Sequence, residues 1–527
     1  MGTVYFPQYR RGRDGIEAFE GTILEHAQRL GVEIASECGG LGTCGRCVIR
    51  IDKGTGALSE RTRSEEEHSL GPDERLACQA LVQDTGASIS VFIRDFGDYS
   101  ILADTLDSHV ALAPAVTKSG NRVVHADEGD LGPYRGDIYG LAIDVGTTTL
   151  VTQVVDLEDG RTVATLARKN PQISYGNDVI SRISFTMEHD DGLAQLQACL
   201  VRSINEQLAD LASERGEFRD KVYEVVAVGN STMREILFGQ DVTTLGVIPY
   251  QAGHLGSRTA RAAKLGLKLN PACLVYGGAL IGGHAGADAL ADVVASGIYL
   301  DDTVNMLIDI GTNGEVVIGN KHRMMTASCA AGGAYEGATI RCGCGAIQGA
   351  IKNVWLHDHH VDFETIGNKP PVGLCGSGLI DLLAELLRTG TMTRKAKIAE
   401  SFEISPGITL SQQDVYQLIT AKAGLRADQD LLIKYYGVQL ADLEKIYLAG
   451  GFGNFIEPKN AVAIGLLPPA ADKIVRLGNA ALAGARAMLI SHAVRKDSED
   501  VADRIEHTRP NELEDGFEYL IAERMYF

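Results

Sequence analysis

The alternation of apolar and polar positions is clearest first near the N-terminus. The short apolar runs at 4–9 (VYFPQY) and 16–21 (IEAFEG) predict two strands joined by a polar, glycine-containing turn. The segment 22–30 predicts a helix, with Thr22 as its N-cap and Gly31 directly after its end. The first part of the chain therefore predicts a small mixed α and β domain.

A strand–turn–strand pattern begins at residue 141 and occurs twice. LAIDVGTTTL and MLIDIGTNGE each contain an apolar strand that ends in aspartate, followed by a glycine–threonine turn. Asp144 in the first copy corresponds to Asp309 in the second, 165 positions later. Such an internal repeat predicts two similar lobes over the remainder of the chain.

The chemistry of these turns indicates phosphate binding. Glycine permits a tight hairpin, and its backbone amides together with threonine hydroxyls suit phosphate oxygens. An aspartate at each strand end can hold magnesium directly or through water. One copy alone is weak evidence, whereas two facing copies would grip a triphosphate from both sides. The candidate catalytic, magnesium-associated carboxylates are Asp144 and Asp309, and the candidate phosphate-binding residues are Gly146, Thr147, Thr148, Gly311, Thr312 and Asn313.

A third glycine turn follows the predicted strand in KIYLAGGFGNFIEP. Gly450, Gly451 and Gly453 would let a purine or ribose lie against the backbone. The chain contains no G-x4-G-K-[ST] sequence, so the P-loop class is excluded. The water-activating residue is not evident, and Asn230 is a weak candidate because an amide orients water rather than accepting its proton.

Cysteine spacing indicates a metal site in the first part of the chain. Cys38, Cys44 and Cys47 follow a C-x5-C-x2-C pattern, and Cys78 lies further on. Four thiolates suit a 2Fe-2S cluster, and the interspersed glycines let the backbone wrap around it. Zinc is the competing interpretation, although structural zinc usually uses two close cysteine pairs. Four unrelated buried thiols are the third alternative.

Four other cysteines lie in glycine-rich segments of the second half. Cys342 and Cys344 form a C-x-C pair, and Cys329 and Cys375 have similar surroundings. Ordinary reduced thiols are favoured here over a second metal site.

Composition and charge narrow the class of protein. The 527 residues predict about three or four structural units. A net charge of −20 argues against nucleic-acid binding and against a polybasic membrane surface. No apolar run resembles a membrane span or a signal peptide, and the cysteine clustering indicates a reducing compartment, so we expect a cytoplasmic protein.

A connecting segment separates the cysteine-rich part from the repeated part. Residues 96–137 lack a clear period and contain several glycines and prolines. They are interpreted either as a flexible tether or as a fixed segment packed on a neighbour. The expected organisation is a cluster domain at 1–95, a linker at 96–137 and two lobes at 138–300 and 301–527.

These motifs resemble known families. The cysteine pattern resembles ferredoxins, with a first gap closer to the adrenodoxin branch than to the plant type, which implies a β-grasp fold and one-electron transfer. The two aspartate hairpins and the third glycine turn resemble the phosphate-1, phosphate-2 and adenosine motifs of the actin, sugar-kinase and 70-kDa heat-shock superfamily. The implied fold is an α+β β-grasp ferredoxin domain followed by an α/β two-lobed, actin-like (RNase H-like duplicated) ATPase domain.

The combination resembles the reductive activators of corrinoid proteins over nearly the whole chain. The resemblance also includes NPQISYGNDVISRI, SCAAGGAYEGA, GLCGSGLIDLL, AIGLLP and the tail RMYF. It implies a 2Fe-2S cluster, ATP and magnesium as cofactors, a corrinoid methyl carrier and a low-potential electron donor as partners, and a homodimer. The expected activity is ATP-dependent reduction of inactive Co(II) to Co(I). The short connection between the cluster domain and Asp144 suggests that a folded middle domain of larger relatives is absent or vestigial here.

Two other classes of function stay open at this point. One is a small-molecule kinase with an attached redox sensor. The other is a nucleotide-dependent redox switch without catalytic activity.

Overall fold

The computed structural model describes most of the chain. It covers residues 2–7, 15–32, 34, 36, 38–45, 47–68, 70–93, 110–330, 333–337, 340–357, 360–451 and 453–527. Among these residues, no helix is both long enough and apolar enough to cross a membrane.

The N-terminal domain is a β-grasp. Its strands are β1 (Thr3–Tyr5), β2 (Gly15–Glu17), β3 (Gly21–Thr22), β4 (Val48–Lys53), β5 (Glu74–Leu76), β6 (Leu81–Val82) and β7 (Ile89–Ile93), and its helices are α1 (Ile23–Leu30) and α2 (Arg63–Glu67). Five strands form a mixed sheet in the order β2-β1-β7-β4-β5, with β1 and β7 parallel. The apolar face of α1 closes the core, which also contains Phe6, Ile49 and Val91.

The predicted ends of α1 are confirmed, but the strand predicted before it is interrupted. The Thr22 side chain accepts the amide of Glu25 in a capping box, and Gly31 ends the helix with φ 82°. The predicted run at 16–21 divides into β2 and β3. Phe19 lies between them, stacks on the His26 ring at 3.7 Å and donates its amide to His26 Nε2. This local packing replaces strand pairing.

Part of the segment assigned to the linker is folded. Its strands are β8 (Val116–Ser119), β9 (Arg122–His125) and β10 (Gly129–Pro133), which form an antiparallel sheet. His125 and Arg495 lie 3.1 and 2.6 Å from the buried Glu224 carboxylate, respectively. Although burial opposes ionisation, Arg495 and His125 hold the pKa of Glu224 below its usual range. The small sheet is thus packed on the first lobe, while residues 94–109 lie outside the described part.

The first lobe contains a six-stranded sheet in the order β13-β12-β11-β14-β16-β15. Its strands are β11 (Tyr139–Val145), β12 (Thr149–Asp156), β13 (Thr162–Lys169), β14 (Val222–Val228), β15 (Arg258–Arg261) and β16 (Leu274–Gly277). Its helices are α3 (Val179–Glu188), α4 (Gly192–Arg215), α5 (Ser231–Leu237), α6 (Thr243–Gly246) and α7 (Ala287–Ser296). Strand β11 pairs antiparallel with β12 and parallel with β14.

The second lobe repeats this arrangement. Its strands are β17 (Asn305–Ile310), β18 (Asn313–Gly319), β19 (Met324–Ala330), β20 (Ala350–His357), β21 (His360–Thr365), β22 (Gly373–Leu374), β23 (Phe402–Ser405), β24 (Ile408–Leu410), β25 (Ile446–Ala449), β26 (Ile474–Gly478) and β27 (Ile505–His507). Strand β17 pairs antiparallel with β18 and parallel with β25, in a sheet ordered β26-β25-β17-β18-β19-β27. The matching neighbours of β11 and β17 confirm the duplication read from the sequence.

Helices from the end of the chain cover both lobes. The remaining helices are α8 (Gly376–Arg388), α9 (Gln412–Tyr436), α10 (Pro458–Ala463), α11 (Ala480–Ile490), α12 (His492–Arg504), α13 (Pro510–Leu513) and α14 (Phe517–Arg524). The apolar side of α11 packs against the first lobe. Leu482 and Met488 pack in one core with Ala142 and Val226 of the first-lobe sheet. The first lobe is therefore completed by a helix distant in sequence.

Candidate cluster and nucleotide sites

The four predicted cluster cysteines come together as two pairs. The Sγ atoms of Cys38 and Cys44 are 3.4 Å apart, and those of Cys47 and Cys78 are 3.3 Å apart. A 2Fe-2S cluster takes two protein sulfurs on each iron, so this donor set fits the cluster. The pairing therefore favours a two-iron cluster over mononuclear zinc.

The loop around the cysteines is built for sulfur ligands. Gly40 adopts φ 101°, and no atom lies within 4 Å of the position that a side chain would take there. Burial opposes ionisation of Cys38, but hydrogen bonds from the backbone and side chains of Cys44 and Thr43 outweigh it and lower the pKa of Cys38 to about 7. Gln79 donates to Cys78 Sγ at 3.6 Å. Such donors stabilise thiolates and tune a bound cluster.

The two aspartate hairpins face each other across one cleft. Ten of the predicted residues line it: Asp144, Gly146, Thr147, Thr148, Asp309, Gly311, Thr312, Asn313, Gly450 and Gly451. Gly453 is not among the lining residues; its amide instead donates to the carbonyl of Gly450 at 2.9 Å. The geometry thus places Gly453 in support of the turn rather than on the cleft wall.

The hairpins touch at their tips through side-chain oxygens. Thr148 Oγ1 of the first lobe lies 2.7 Å from Thr312 Oγ1 of the second. Both hydroxyls donate to the same oxygen, Oε2 of Glu336. A single carboxylate therefore joins the two lobes where phosphate oxygens are expected to bind.

The carboxylates of the cleft carry raised pKa values because they are buried near one another. Burial raises the pKa of Asp144 to about 7, with a further contribution from Asp309, although a hydrogen bond from Asn479 opposes it. Burial likewise raises the pKa of Asp309 to about 6. Among the described residues, Asp309 Oδ1 has no hydrogen-bond partner. A divalent cation would favour the ionised forms, so this donor set fits magnesium with a triphosphate.

The third glycine turn approaches the second hairpin closely. Gly450 has φ 111°, and a side chain there would lie 2.5 Å from the carbonyl oxygen of Ile310 and 2.9 Å from Asp309 Oδ1. Only glycine fits this position without displacing the aspartate. The turn predicted to border adenosine is thereby held directly beside a predicted magnesium-associated carboxylate.

Several cleft residues were missed or weakly placed from the sequence. Asn479 donates to Asp144 Oδ2 at 3.0 Å, and it caps α11. Asn230 donates to Thr147 Oγ1 at 2.8 Å and caps α5, so it positions the first hairpin. Glu336, Asp288 and Glu315 also line the cleft. An asparagine directly before an apolar helix is a sequence signal for the two caps, whereas Glu336 carries no local signal of its role.

The fold and the two sites define a class of protein: a 2Fe-2S ferredoxin domain joined to an actin-like ATPase of the ASKHA type. Three family models match. They are the 2Fe-2S iron-sulfur cluster binding domain at residues 14–83, the RACo middle region at 139–301, and the C-terminal domain of RACo, the ASKHA domain, at 303–526. The chain belongs to the RACo family.

Relatives of known name support this membership. The corrinoid activation enzyme RamQ of Eubacterium limosum is 28% identical, and the match covers 90% of this chain and 90% of its own length. The Co(II) methylated amine-specific corrinoid protein reductase of Methanosarcina barkeri is 26% identical, covering 70% of this chain and 73% of its own length. The solved structure of a reductive activator for corrinoid, iron-sulfur protein has a TM-score of 0.75 and 27% identity, covering 100% of this chain and 98% of that chain.

One expectation stays untested by these comparisons. The family's middle-region model matches residues 139–301, the first lobe of the ATPase, which contains the first hairpin. It therefore does not bear on whether larger relatives carry a separate folded unit between the cluster domain and Asp144.

Proposed function

We propose that this protein is an ATP-dependent reductive activator that transfers one electron from its 2Fe-2S cluster to the Co(II) corrinoid of a partner protein. The observation that carries the proposal is the presence, in one chain, of two cysteine sulfur pairs and of two hairpins that meet through Thr148 and Thr312. The first is a one-electron site, and the second is a nucleotide-responsive cleft. The names of the relatives supply the substrate class.

The reduction potentials explain why the proposed reaction needs both the cluster and ATP. Clusters of the plant type have reduction potentials of about −400 mV, and the resemblance implies that the Co(II) corrinoid is harder to reduce than such a cluster. ATP and magnesium in the cleft would draw the two hairpins onto the phosphates. ATP shifts the cleft toward its closed state only if it binds that state more tightly than the open one. Hydrolysis removes ATP, so the cleft then returns to its open state. The proposal also includes a low-potential electron donor, a homodimer and a cytoplasmic location, as the resemblance implies.

An anaerobic optical assay tests the proposal. The reduced protein is mixed with a purified Co(II) corrinoid protein, with and without Mg-ATP. We expect the Co(I) absorption band only when ATP is present, because closure of the cleft on ATP must supply the free energy for the unfavourable reduction of Co(II). A non-hydrolysable ATP analogue and a Mg-free sample are the controls.

Other outcomes would identify the two rival classes. Phosphate transfer to an added sugar or acid without any corrinoid would indicate a kinase. Tight ATP binding with negligible turnover, even with partners present, would indicate a redox switch. Failure to form Co(I) with several corrinoid proteins, while the cluster stays intact and reduced, would reject the activator proposal.

A further inference from the structure

Fast ATP hydrolysis uses a residue that orients the attacking water or accepts its proton. Asp144 is occupied by the Asn479 amide at 3.0 Å, and Asp309 lies directly beside the Gly450 turn. The Asn230 amide already donates to Thr147, and an amide cannot accept a water proton. Asp144 and Asp309 thus have roles as predicted magnesium-associated carboxylates, and Asn230 supports the first hairpin.

Glu336 differs from these residues in its position between the lobes. Its Oε2 lies 3.0 Å from Thr148 Oγ1 and also accepts the hydroxyl of Thr312. Since both threonines are predicted phosphate ligands, the carboxylate is adjacent to the phosphate position from either side. Its side chain is half-buried and lines the cleft.

The backbone holds Glu336 in a fixed place. It ends the one-turn 3-10 helix Ala334–Glu336, with the left-handed glycines Gly333 and Gly337 on either side. The neighbouring Tyr335 is buried, and its hydroxyl donates to the carbonyl of Leu418 at 3.0 Å. A carboxylate fixed in this way needs little reorganisation when a water molecule approaches.

We infer that Glu336 is the catalytic base of ATP hydrolysis, an inference that rests on the ATPase half of the proposed function. The water oxygen bonds to the γ-phosphorus while its proton moves to the Glu336 carboxylate. The bond between the γ-phosphorus and the β–γ bridging oxygen breaks, and ADP leaves with its electron pair. Thr148 and Thr312, released from Glu336, donate to the phosphate oxygens instead.

The test separates binding from hydrolysis in the full-length, cluster-loaded protein. Glu336→Gln keeps the shape and an acceptor oxygen but removes the base. We expect the affinity for a non-hydrolysable ATP analogue to stay within about threefold, and kcat for hydrolysis to fall by about 100-fold, the lower end of a general base's contribution. In Glu336→Ala, added formate is expected to restore part of the lost rate. Glu518→Ala, at an exposed position of α14, is the matched control.

The outcomes separate this inference from the proposed function. Wild-type kcat in Glu336→Gln would overturn the inference, even if the wild-type protein reduces Co(II) with ATP. Equal losses of affinity and kcat without formate rescue would also overturn it and assign Glu336 to lobe closure alone. Conversely, a wild-type protein that hydrolyses ATP without forming Co(I) would reject the proposed function and leave the base assignment intact.

A separate set of hydrogen bonds links the phosphate hairpin to the ferredoxin domain through residues 170–176, here called the strap. On the hairpin side, the Asn170 amide donates to the Thr148 carbonyl at 2.7 Å, and its side chain donates to the Gly146 carbonyl at 2.8 Å. The buried Arg182 bonds both the Thr147 carbonyl and Gln172 of the strap. The strap is thus fixed to the first hairpin by backbone and side-chain contacts.

The opposite side of the strap holds the ferredoxin domain. Gln28 donates to the Ser174 carbonyl at 2.7 Å, and the Ile34 amide donates to Ser174 Oγ at 3.2 Å. The Ser36 amide donates to the Ile173 carbonyl at 3.3 Å, only two residues before the first cluster cysteine. We propose that the strap couples nucleotide binding at the first hairpin to the way in which the ferredoxin domain packs on the strap. Binding free energies coupled in this way are reciprocal.

Hydrogen exchange on the intact protein tests this coupling. We expect an ATP analogue with magnesium to change the exchange rates of the Ile34 and Ser36 amides. The double variant Gln28→Ala/Ser174→Ala, whose side chains do not line the cleft, should lose that response and shift analogue affinity by roughly fivefold. Gln83→Ala, at an exposed site on the ferredoxin domain, should behave as wild type. Unchanged exchange in wild type, or a wild-type response in the double variant, would overturn the proposal.

Discussion

Replacing Cys44 by serine is expected to abolish ATP-dependent Co(I) formation, with a loss of at least about 100-fold, because even outer partners of a metal site contribute 10- to 100-fold in affinity. The Cys44 thiol is one of two sulfurs in its pair, 3.4 Å from Cys38. Its loss would leave one iron with a single protein sulfur. Iron and sulfide analysis, together with the visible and EPR spectra of anaerobically purified protein, provides the measurement.

A matched control comes from a cysteine outside the cluster loop. Cys199 is buried on α4, and its thiol donates to the Leu196 carbonyl at 3.2 Å, a bond that serine can also make. Cys199→Ser should therefore keep the iron content, the spectra and the Co(I) yield. Unchanged iron and sulfide in Cys44→Ser would contradict the ligand assignment.

Replacing Asp309 by alanine is expected to lower ATP hydrolysis by about 1000-fold, the upper range for removing one electrostatic stabiliser. Asp309 lies one residue before the end of β17, and its Oδ1 faces the Gly450 turn without a hydrogen-bond partner among the described residues. Magnesium bound to the triphosphate would lose this negative partner. Turnover and Mg-dependent ATP affinity are the quantities to measure.

The same substitution should not weaken the nucleotide-free fold. Burial raises the pKa of Asp309 from its ordinary 3.8 to about 6, so the folded chain loses stability as the pH rises between these values. Alanine cannot ionise, so it removes the loss of stability that ionised Asp309 causes at pH 7.5. The melting temperature at that pH should therefore stay constant or rise. Asp302→Ala, at an exposed site just before β17, is the control. Hydrolysis at the wild-type rate in Asp309→Ala would show that the two-hairpin site is wrong.

The sequence predicted the parts of this molecule whose physics is local. The ends of α1 follow from Thr22 and Gly31, and the two hairpins follow from a repeat that places an aspartate at each strand end. The cluster loop follows from cysteine spacing. Each of these features depends on residues that are close along the chain or repeated at a fixed offset.

Features that depend on distant contacts were not predictable in this way. Glu336 reaches Thr148 across 188 positions, and Asn479 reaches Asp144 across 335. The interruption at Phe19 depends on a ring-stacking contact that no alternation pattern encodes. Gly453 belongs to a glycine turn that suggested ligand contact, but its amide closes the turn itself. For Glu336 and Asn479 the deciding partner is specified by tertiary packing, whereas Phe19 and Gly453 have partners nearby in the chain that the pattern of apolar and polar residues does not reveal.

The return of α11 to the first lobe also sets the order in which the protein can fold during its synthesis. The strands β11 and β14 leave the ribosome before the whole second lobe is made, while the helix that covers their apolar face is still unsynthesised. Ala142 and Val226 therefore lack the α11 part of their cover until the chain beyond residue 480 emerges. A fragment that ends before α11 would contain every strand of the first lobe and still lack both the cover of its sheet and the Asn479 contact to Asp144.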